Sequence, residues 1–302
     1  MKLRLVMNPG SRSRRGQNLW RVWRHLLESA GCHLECCTTE SPDHAIELAR
    51  NSPDVDAVVA VGGDGTINAV LDGILQSGRR DLPMGVLYSG TSPDFCRFHG
   101  IPLDPESAVR ALLSGRGRQV DAVRISYSQP DGTPLTAHFG CGSNIGLGGM
   151  IARRANRFRR FLGDRLGTGL AAVMTLIRTS AVDLSLEAEG NVHDVHACNN
   201  ISILKSPFIA SGLKLDLELL PDDGNLCVVA VSGKSPLGML NLLPGFYSGQ
   251  AVHDPAVQIW RCRSLTVRGP VTTEVEFDGD PRGFLPVTIE ILPRSLSLLG
   301  CT

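Results

Sequence analysis

The chain has no surplus of charge of either sign: 30 Lys plus Arg balance 30 Asp plus Glu over 302 residues. That balance argues against a protein that grips nucleic acid by bulk electrostatics, and no nucleic-acid partner is expected. No stretch approaches the ~20 apolar residues of a membrane span, so any membrane contact is predicted to be peripheral. The opening MKLRLVMNPG lacks the apolar core of a secretory signal. The nine cysteines include no C-x-x-C and no Cys/His spacing suited to zinc. They read as reduced, mostly buried thiols of a cytoplasmic protein. Internal repeats and low-complexity tracts are missing as well. What is present, 42% hydrophobic content over this length, suffices for a large core and about two domains.

Strand and helix signals alternate through the first 120 residues. Strands are predicted at Leu3–Asn8, His33–Thr38, Asp56–Val61 and Met84–Tyr88. Helices are predicted at Gln17–Ala30, from Ser41-Pro42-Asp43 to Asn51, at Thr66–Gln76 and at Asp104–Ser114. This order implies a parallel sheet covered by helices on both faces, with ligands at the carboxyl ends of its strands. After Gln119 strand signals dominate: Val120–Tyr127, Leu135–Cys141, Asp183–Glu189, His193–Leu204, Leu226–Ser232, Ser264–Gly269, Thr273–Phe277 and Val287–Leu292. They suggest a β-sandwich or mixed β domain, interrupted by one helical insertion at about Met150–Thr179. The boundary is placed near Gly115–Gln119.

The strand at Asp56–Val61 runs into Gly62-Gly63-Asp64-Gly65-Thr66 and then a helix. Glycines let backbone approach an anion, and a helix N-terminus offers free N–H groups and a partial positive charge. The G-K-[ST] ending of a Walker A loop is absent. A plain strand-to-helix turn would look similar. Asp64 argues for the phosphate-binding reading, because an acid in such a loop repels phosphate unless a metal lies between them, and Mg²⁺ resolves that conflict.

The pentapeptide resembles the nucleotide loop shared by diacylglycerol kinases, sphingosine kinases, NAD kinases and phosphofructokinase-like enzymes. Further segments resemble the bacterial lipid kinases of the diacylglycerol kinase catalytic-domain family. These are Asn8-Pro9, Thr39 in TTESPDHA, GVLYSGTSPDFCR from Gly85, Asp121 in QVDAVRI, LLPDDGN from Leu219, FDGD from Phe277, and LPRSLSLL at the end. They follow in order along essentially the whole chain.

The resemblance implies a phosphofructokinase/NAD-kinase-like N-terminal α/β domain at about 1–120, rejoined by about 291–302. It implies a C-terminal β-sandwich-like domain at about 121–290. ATP would lie on Gly62, Gly63, Asp64, Gly65, Thr66, Ile67, Asn68 and Ala69, with Asn8, Thr39, Thr91 and Asp94 as further nucleotide contacts. Asp64, Asp94 and Asp121 would form an acidic cluster placing Mg²⁺, partly through water. Asp223, with the backbone carbonyls of Leu220 and Asn225, would hold a second, structural Mg²⁺. Asp280 would be the general base that takes the proton of the attacking lipid hydroxyl. The family carries Glu there, and Asp is shorter by roughly 1.3 Å. Each of these acids also suits a helix cap, a strand end or a tight turn.

Tyr88, Ser89, Ser92 and Pro93 replace the residues usual in the second nucleotide segment. Arg153, Arg154, Arg157, Arg159, Arg160 and Arg165, with apolar residues interleaved, read either as a basic amphipathic helix for an anionic membrane surface or as a solvated face. Leu170–Ile177 suits core or an acyl-chain groove, and Gly140–Met150 resembles the family's cleft lining. The expected activity is transfer of the γ-phosphoryl group of ATP to a lipid hydroxyl, diacylglycerol-like or sphingoid. The rivals are a NAD kinase-like enzyme and a non-catalytic nucleotide- or lipid-binding regulator. Oligomeric state is left open by the sequence, a homodimer included.

Overall fold

The strand AVVAVG at 57–62 is buried along its whole length, as a strand must be when helices cover both faces of its sheet. In the computed structural model it is β3 (Ala57–Gly62), the middle of a parallel sheet. Residues 1–8, 14–129, 131–146, 181–209, 213–277 and 280–301 are described. The helical insertion expected at Met150–Thr179, with its arginine cluster and the Leu170–Ile177 stretch, lies outside them.

β1 (Lys2–Met7) and β2 (His33–Thr38) flank β3 on one side, and β4 (Met84–Tyr88) on the other, all parallel. Alternation along β3 sends side chains to two cores. Val58 and Ala60 pack with α2 (Pro42–Arg50) and α3 (Asp64–Gln76). Ala57 and Val59 pack with α1 (Arg14–Ser29) and α5 (Pro105–Leu113). Two starts follow the expected chemistry: Ser41 caps α2 by accepting from the His44 N–H, and Asp104 caps α5 by accepting from Ser107, each before Pro at the first turn. α3 begins at Asp64, two residues before the predicted Thr66, so Asp64 belongs to the helix's first turn. α4 (Asp94–His99) is a short addition after β4.

β5 (Gly117–Ser128) and β16 (Asp280–Leu299) form a long antiparallel ladder linking both parts of the molecule. The far end of β16 lies parallel to β4, with Leu298 opposite Met84. Its near end lies among antiparallel strands, which run β13 (Val257–Cys262), β12 (Leu226–Ser232), β9 (Asn191–Leu204), β7 (Gly142–Gly146), β15 (Glu274–Phe277) and β16. β14 (Ser264–Arg268) joins β16 to β8 (Val182–Ala188), which returns to β9, and β6 (Pro134–Phe139) pairs with β5. The main core of this part has Phe277 centred 5.6 Å from Tyr127 and 5.9 Å from Phe139. β10 (Phe208–Ile209) and β11 (Leu213–Lys214) make a separate small hairpin.

The α/β-plus-β architecture is the expected one; several elements are not. β7 falls where a glycine-rich cleft lining was read. β13 and α6 (Pro236–Ser248) were not foreseen, the latter because Pro244 lies inside it. β16 absorbs both the predicted Val287–Leu292 strand and the closing LPRSLSLL segment. No described helix is long and apolar enough to cross a membrane.

Candidate active site

Four strand ends meet on one rim. Just past β1, the Asn8 N–H donates to Val61 O at 3.2 Å; past β2, the Thr39 N–H donates to Met7 O at 2.8 Å; past β4, the Ser89 N–H donates to Gly62 O at 2.9 Å. Asn8, Thr39, the Gly62–Thr66 turn and the Ser89–Asp94 loop therefore share the carboxyl edge of the parallel sheet, where such sheets bind ligands.

The glycines of the turn are needed for contact. A Cβ on Gly62 would overlap the Thr66 hydroxyl, and one on Gly90 would lie 2.7 Å from the Gly63 Cα. The two loops thus touch backbone to backbone, a separation only glycine allows. Gly63 is the N-cap of α3 and supplies no side-chain cap. Its carbonyl accepts from Thr66 and Ile67 at 2.9 and 3.0 Å. A Cβ on Gly65 would meet nothing within 4 Å, so the helix start faces open space. Thr66, Ile67, Asn68 and Ala69 are buried, and Ile67 and Ala69 belong to the core. What those two offer a nucleotide is backbone. Thr91 is exposed on the rim.

Asp64 is held from two sides. The Tyr88 hydroxyl donates to Oδ2 at 3.0 Å and the Phe95 N–H to Oδ1 at 3.4 Å. Burial and the adjacent Asp64 charge push the Tyr88 phenol far up from its ordinary value, so it remains a proton donor. Tyr88, read from sequence as a departure from the family pattern, is here a positioning residue for Asp64. The signal was the parallel register that sets Tyr88 beside Gly62. Asp94 opens α4, accepts from the Ser92 hydroxyl at 3.2 Å, and lies 3.7 Å from Arg97 Nη1.

Asp121 belongs to another centre. Its Oδ1 accepts the Arg294 N–H at 2.8 Å and its Oδ2 the Gly224 N–H at 2.8 Å. The Lys205 ammonium lies 2.7 Å from the same Oδ2 and 2.6 Å from Asp223 Oδ1. Among the described residues no three His, Cys, Asp or Glu side chains are grouped to hold one ion. Asp121, expected to join Asp64 and Asp94 in placing Mg²⁺, is engaged by the Lys205 ammonium.

The positions expected to hold structural Mg²⁺ do come together, but around that ammonium. Lys205 Nζ also lies 3.4 Å from Asn225 O, while Asp223 accepts from the Asn225 N–H at 3.0 Å and the Leu220 N–H at 3.3 Å. Burial pushes the Asp223 carboxyl up, but the Lys205 and Asn225 hydrogen bonds outweigh it and hold the group below its ordinary value. Mg²⁺ needs oxygens at about 2.1 Å in octahedral array. With a buried ammonium already seated among these oxygens, the set does not fit a resident divalent ion.

Other polar contacts join α3 to β6 and tie β15, β7 and β9 to one another. On α3, Asp72 accepts from the His138 N–H at 3.1 Å, lies 2.9 Å from His138 Nδ1, and accepts from Gln76 at 2.9 Å. On β15, Glu276 accepts from Asn144 at 2.7 Å, and Asn144 accepts from Ser202 at 2.6 Å. This row leads to Asp280, whose backbone pairs across from Phe277. None of these pairs was legible as a motif.

His99 packs between the Phe95 and Phe98 rings at 4.3 and 4.9 Å. Burial, with the Arg118 and Lys205 charges, pushes its imidazole down to about 3. The unfolded chain takes up a proton below about pH 6.5 that the folded chain refuses. The His99 contribution is therefore intact above that pH and lost as the pH falls towards 3. Chemical denaturation of wild type against His99→Gln is expected to show roughly 2 kcal/mol of extra loss in wild type between pH 7 and pH 5. Equal slopes would remove this account.

A sequence model of the diacylglycerol kinase catalytic domain matches residues 2–125, and one of the YegS C-terminal NAD kinase beta sandwich-like domain matches residues 143–300. The chain belongs to the diacylglycerol kinase catalytic-domain family. Curated relatives agree. A diacylglycerol kinase from Staphylococcus aureus is 26% identical over 312 residues, covering 99% of this chain and 92% of the relative. One from Mycobacterium tuberculosis is 26% identical over 245 residues, covering 81% and 76%. A solved diacylglycerol kinase from Bacillus anthracis shares the fold, with TM-score 0.67, 17% identity and coverage of 99% and 96%. Yeast NADH kinase complexed with NADH does so at TM-score 0.56, 12% identity and coverage of 99% and 82%. The family's fold, a NAD-kinase-like α/β part followed by a β-sandwich-like part, is the one found here.

Proposed function

We propose that this diacylglycerol kinase family member transfers the γ-phosphoryl group of ATP to the hydroxyl of a lipid, diacylglycerol-like or sphingoid, at a membrane surface. The observation that carries the reading is the rim itself: the start of α3 faces open space beside a carboxylate fixed by Tyr88 and Phe95. Backbone N–H groups there take the polyphosphate. Mg²⁺ brought with the nucleotide would be held by Asp64 and Asp94, partly through water, and would neutralise charge on the phosphates. Asp280 accepts the proton of the lipid hydroxyl as its oxygen bonds to the γ-phosphorus; the bond from that phosphorus to the bridging oxygen breaks, and ADP leaves. Asn8, Thr39 and Thr91 line the nucleotide side. The lipid approaches between the two parts of the molecule.

The test is label transfer from [γ-³²P]ATP, with Mg²⁺, to vesicles carrying diacylglycerol, a sphingoid base, ceramide or phosphatidylglycerol, with NAD as a separate acceptor. Labelled lipid that disappears with Asp64→Asn is the expected result. Label on NAD alone would reassign the chain as a nucleotide kinase. Nucleotide binding with no labelled acceptor would make it a regulator.

A further inference from the structure

We infer that the buried joint of Asp121 and Asp223 uses the Lys205 ammonium where the family resemblance calls for a divalent ion, and that removing this ammonium opens a divalent-cation site on the same oxygens. The inference goes beyond phosphoryl transfer and does not depend on it.

Lys205 follows β9 and is fully buried. Its N–H donates to Cys141 O at 2.8 Å, so the backbone is fixed where the side chain starts. From there Nζ reaches one carboxylate on β5, one in the Leu220–Asn225 turn, and the carbonyl of Asn225. Two acids and one backbone carbonyl around one point form an oxygen shell for a hard cation. An ammonium with three donors answers the same shell.

The neighbours are arranged for a single positive charge. Four backbone N–H groups, from Gly224, Arg294, Asn225 and Leu220, donate to the two carboxylates and fix their orientation. Arg294 adopts φ 46° to present its N–H to Asp121, a conformation uncommon outside glycine. It does so where β16 shifts register between Leu292 and Leu296. A divalent ion added here would face the ammonium at contact distance, between carboxylates that already bind it at 2.6 and 2.7 Å. Expelling the lysine instead would strand a buried charge, since its side chain is 1% exposed.

The consequence is a joint between β5, β9, β16 and the Leu220–Asn225 turn that holds at any divalent concentration. Taking the ammonium away leaves two carboxylates across a small void. Calcium binds oxygens at about 2.3–2.6 Å, close to the 2.6 and 2.7 Å of the ammonium contacts, so it fits that void better than magnesium.

The experiment uses the full chain, stripped with EDTA and free of nucleotide. Metal content is read by mass spectrometry and Tm is followed with CaCl₂ or MgCl₂. Wild type is expected to carry no stoichiometric divalent ion and to show no saturable rise in Tm. Lys205→Ala is expected to lose about 10 °C, as breaking a buried pair does. CaCl₂ should recover at least half of that, MgCl₂ less, and Lys205→Ala combined with Asp223→Asn should recover nothing. Lys205→Gln, which nearly keeps the volume, takes its place if the alanine variant does not fold. A stoichiometric ion in wild type that vanishes with Asp223→Asn overturns the inference, as does a Lys205 variant with no response to either salt.

Discussion

Replacing Asp64 by Asn is expected to lower kcat/KM for lipid phosphorylation about 10³-fold while leaving Tm within a few degrees of wild type. The substitution keeps size and an acceptor oxygen for the Phe95 N–H, 3.4 Å from Oδ1, while the Tyr88 hydroxyl, 3.0 Å from Oδ2, can turn to accept from the new amide N–H. The main loss is the charge. A carboxylate in the first turn of α3 favours that helix end but opposes phosphate, so its value to a nucleotide depends on the metal between them, a contribution of several kcal/mol at the transition state. The loss should fall on magnesium-dependent nucleotide affinity, read by calorimetry with and without the ion, as well as on turnover. Tyr88→Phe separates position from charge: the acid remains but loses the hydroxyl donor at 3.0 Å, at an expected cost of about tenfold. An Asp64→Asn variant within threefold of wild type would remove the site from the chemistry altogether.

The second large effect is expected at Asp280. Asp280→Asn should lower kcat by about 10³-fold, within the range for loss of a general base, with nucleotide affinity unchanged because the role proposed for this residue is toward the lipid hydroxyl. Asp280→Glu restores the length usual in the family and is expected to keep activity within about tenfold, since both acids can take the proton and only reach differs. The pair of variants distinguishes a base from a structural acid: a structural acid would lower Tm in both, and a base lowers only the turnover of the amide. Turnover of Asp280→Asn equal to wild type would sink the assignment.

The turn at Gly62–Asp64 could be read from sequence because its signal is local. A buried run of Ala and Val, two glycines and a helix start lie within ten adjacent residues, and each points to the same backbone path. Lys205 could not be read this way. Its partners Asp121 and Asp223 sit on different elements, and nothing in LKSP marks a buried ammonium. Tyr88 was visible as a departure, but its effect depends on the register between β3 and β4. Proline misled twice. Pro244 hid α6, and Pro286 with Pro293 made β16 look like two segments divided by turns. The strand continues past both by shifting register between Phe284 and Thr288 and again between Leu292 and Leu296, where a missing N–H costs little.

β16 also bears on how the molecule is made. Leu296 lies beside Val120 and Leu298 beside Met84, so a stretch synthesised long after β4 completes the sheet that β1 to β4 begin. Folding that proceeds from the amino end must pause with β4 bare on one side until residues near 298 arrive. A fragment stopped at residue 120 keeps that raw edge, and an unpaired edge of this kind invites pairing with other chains.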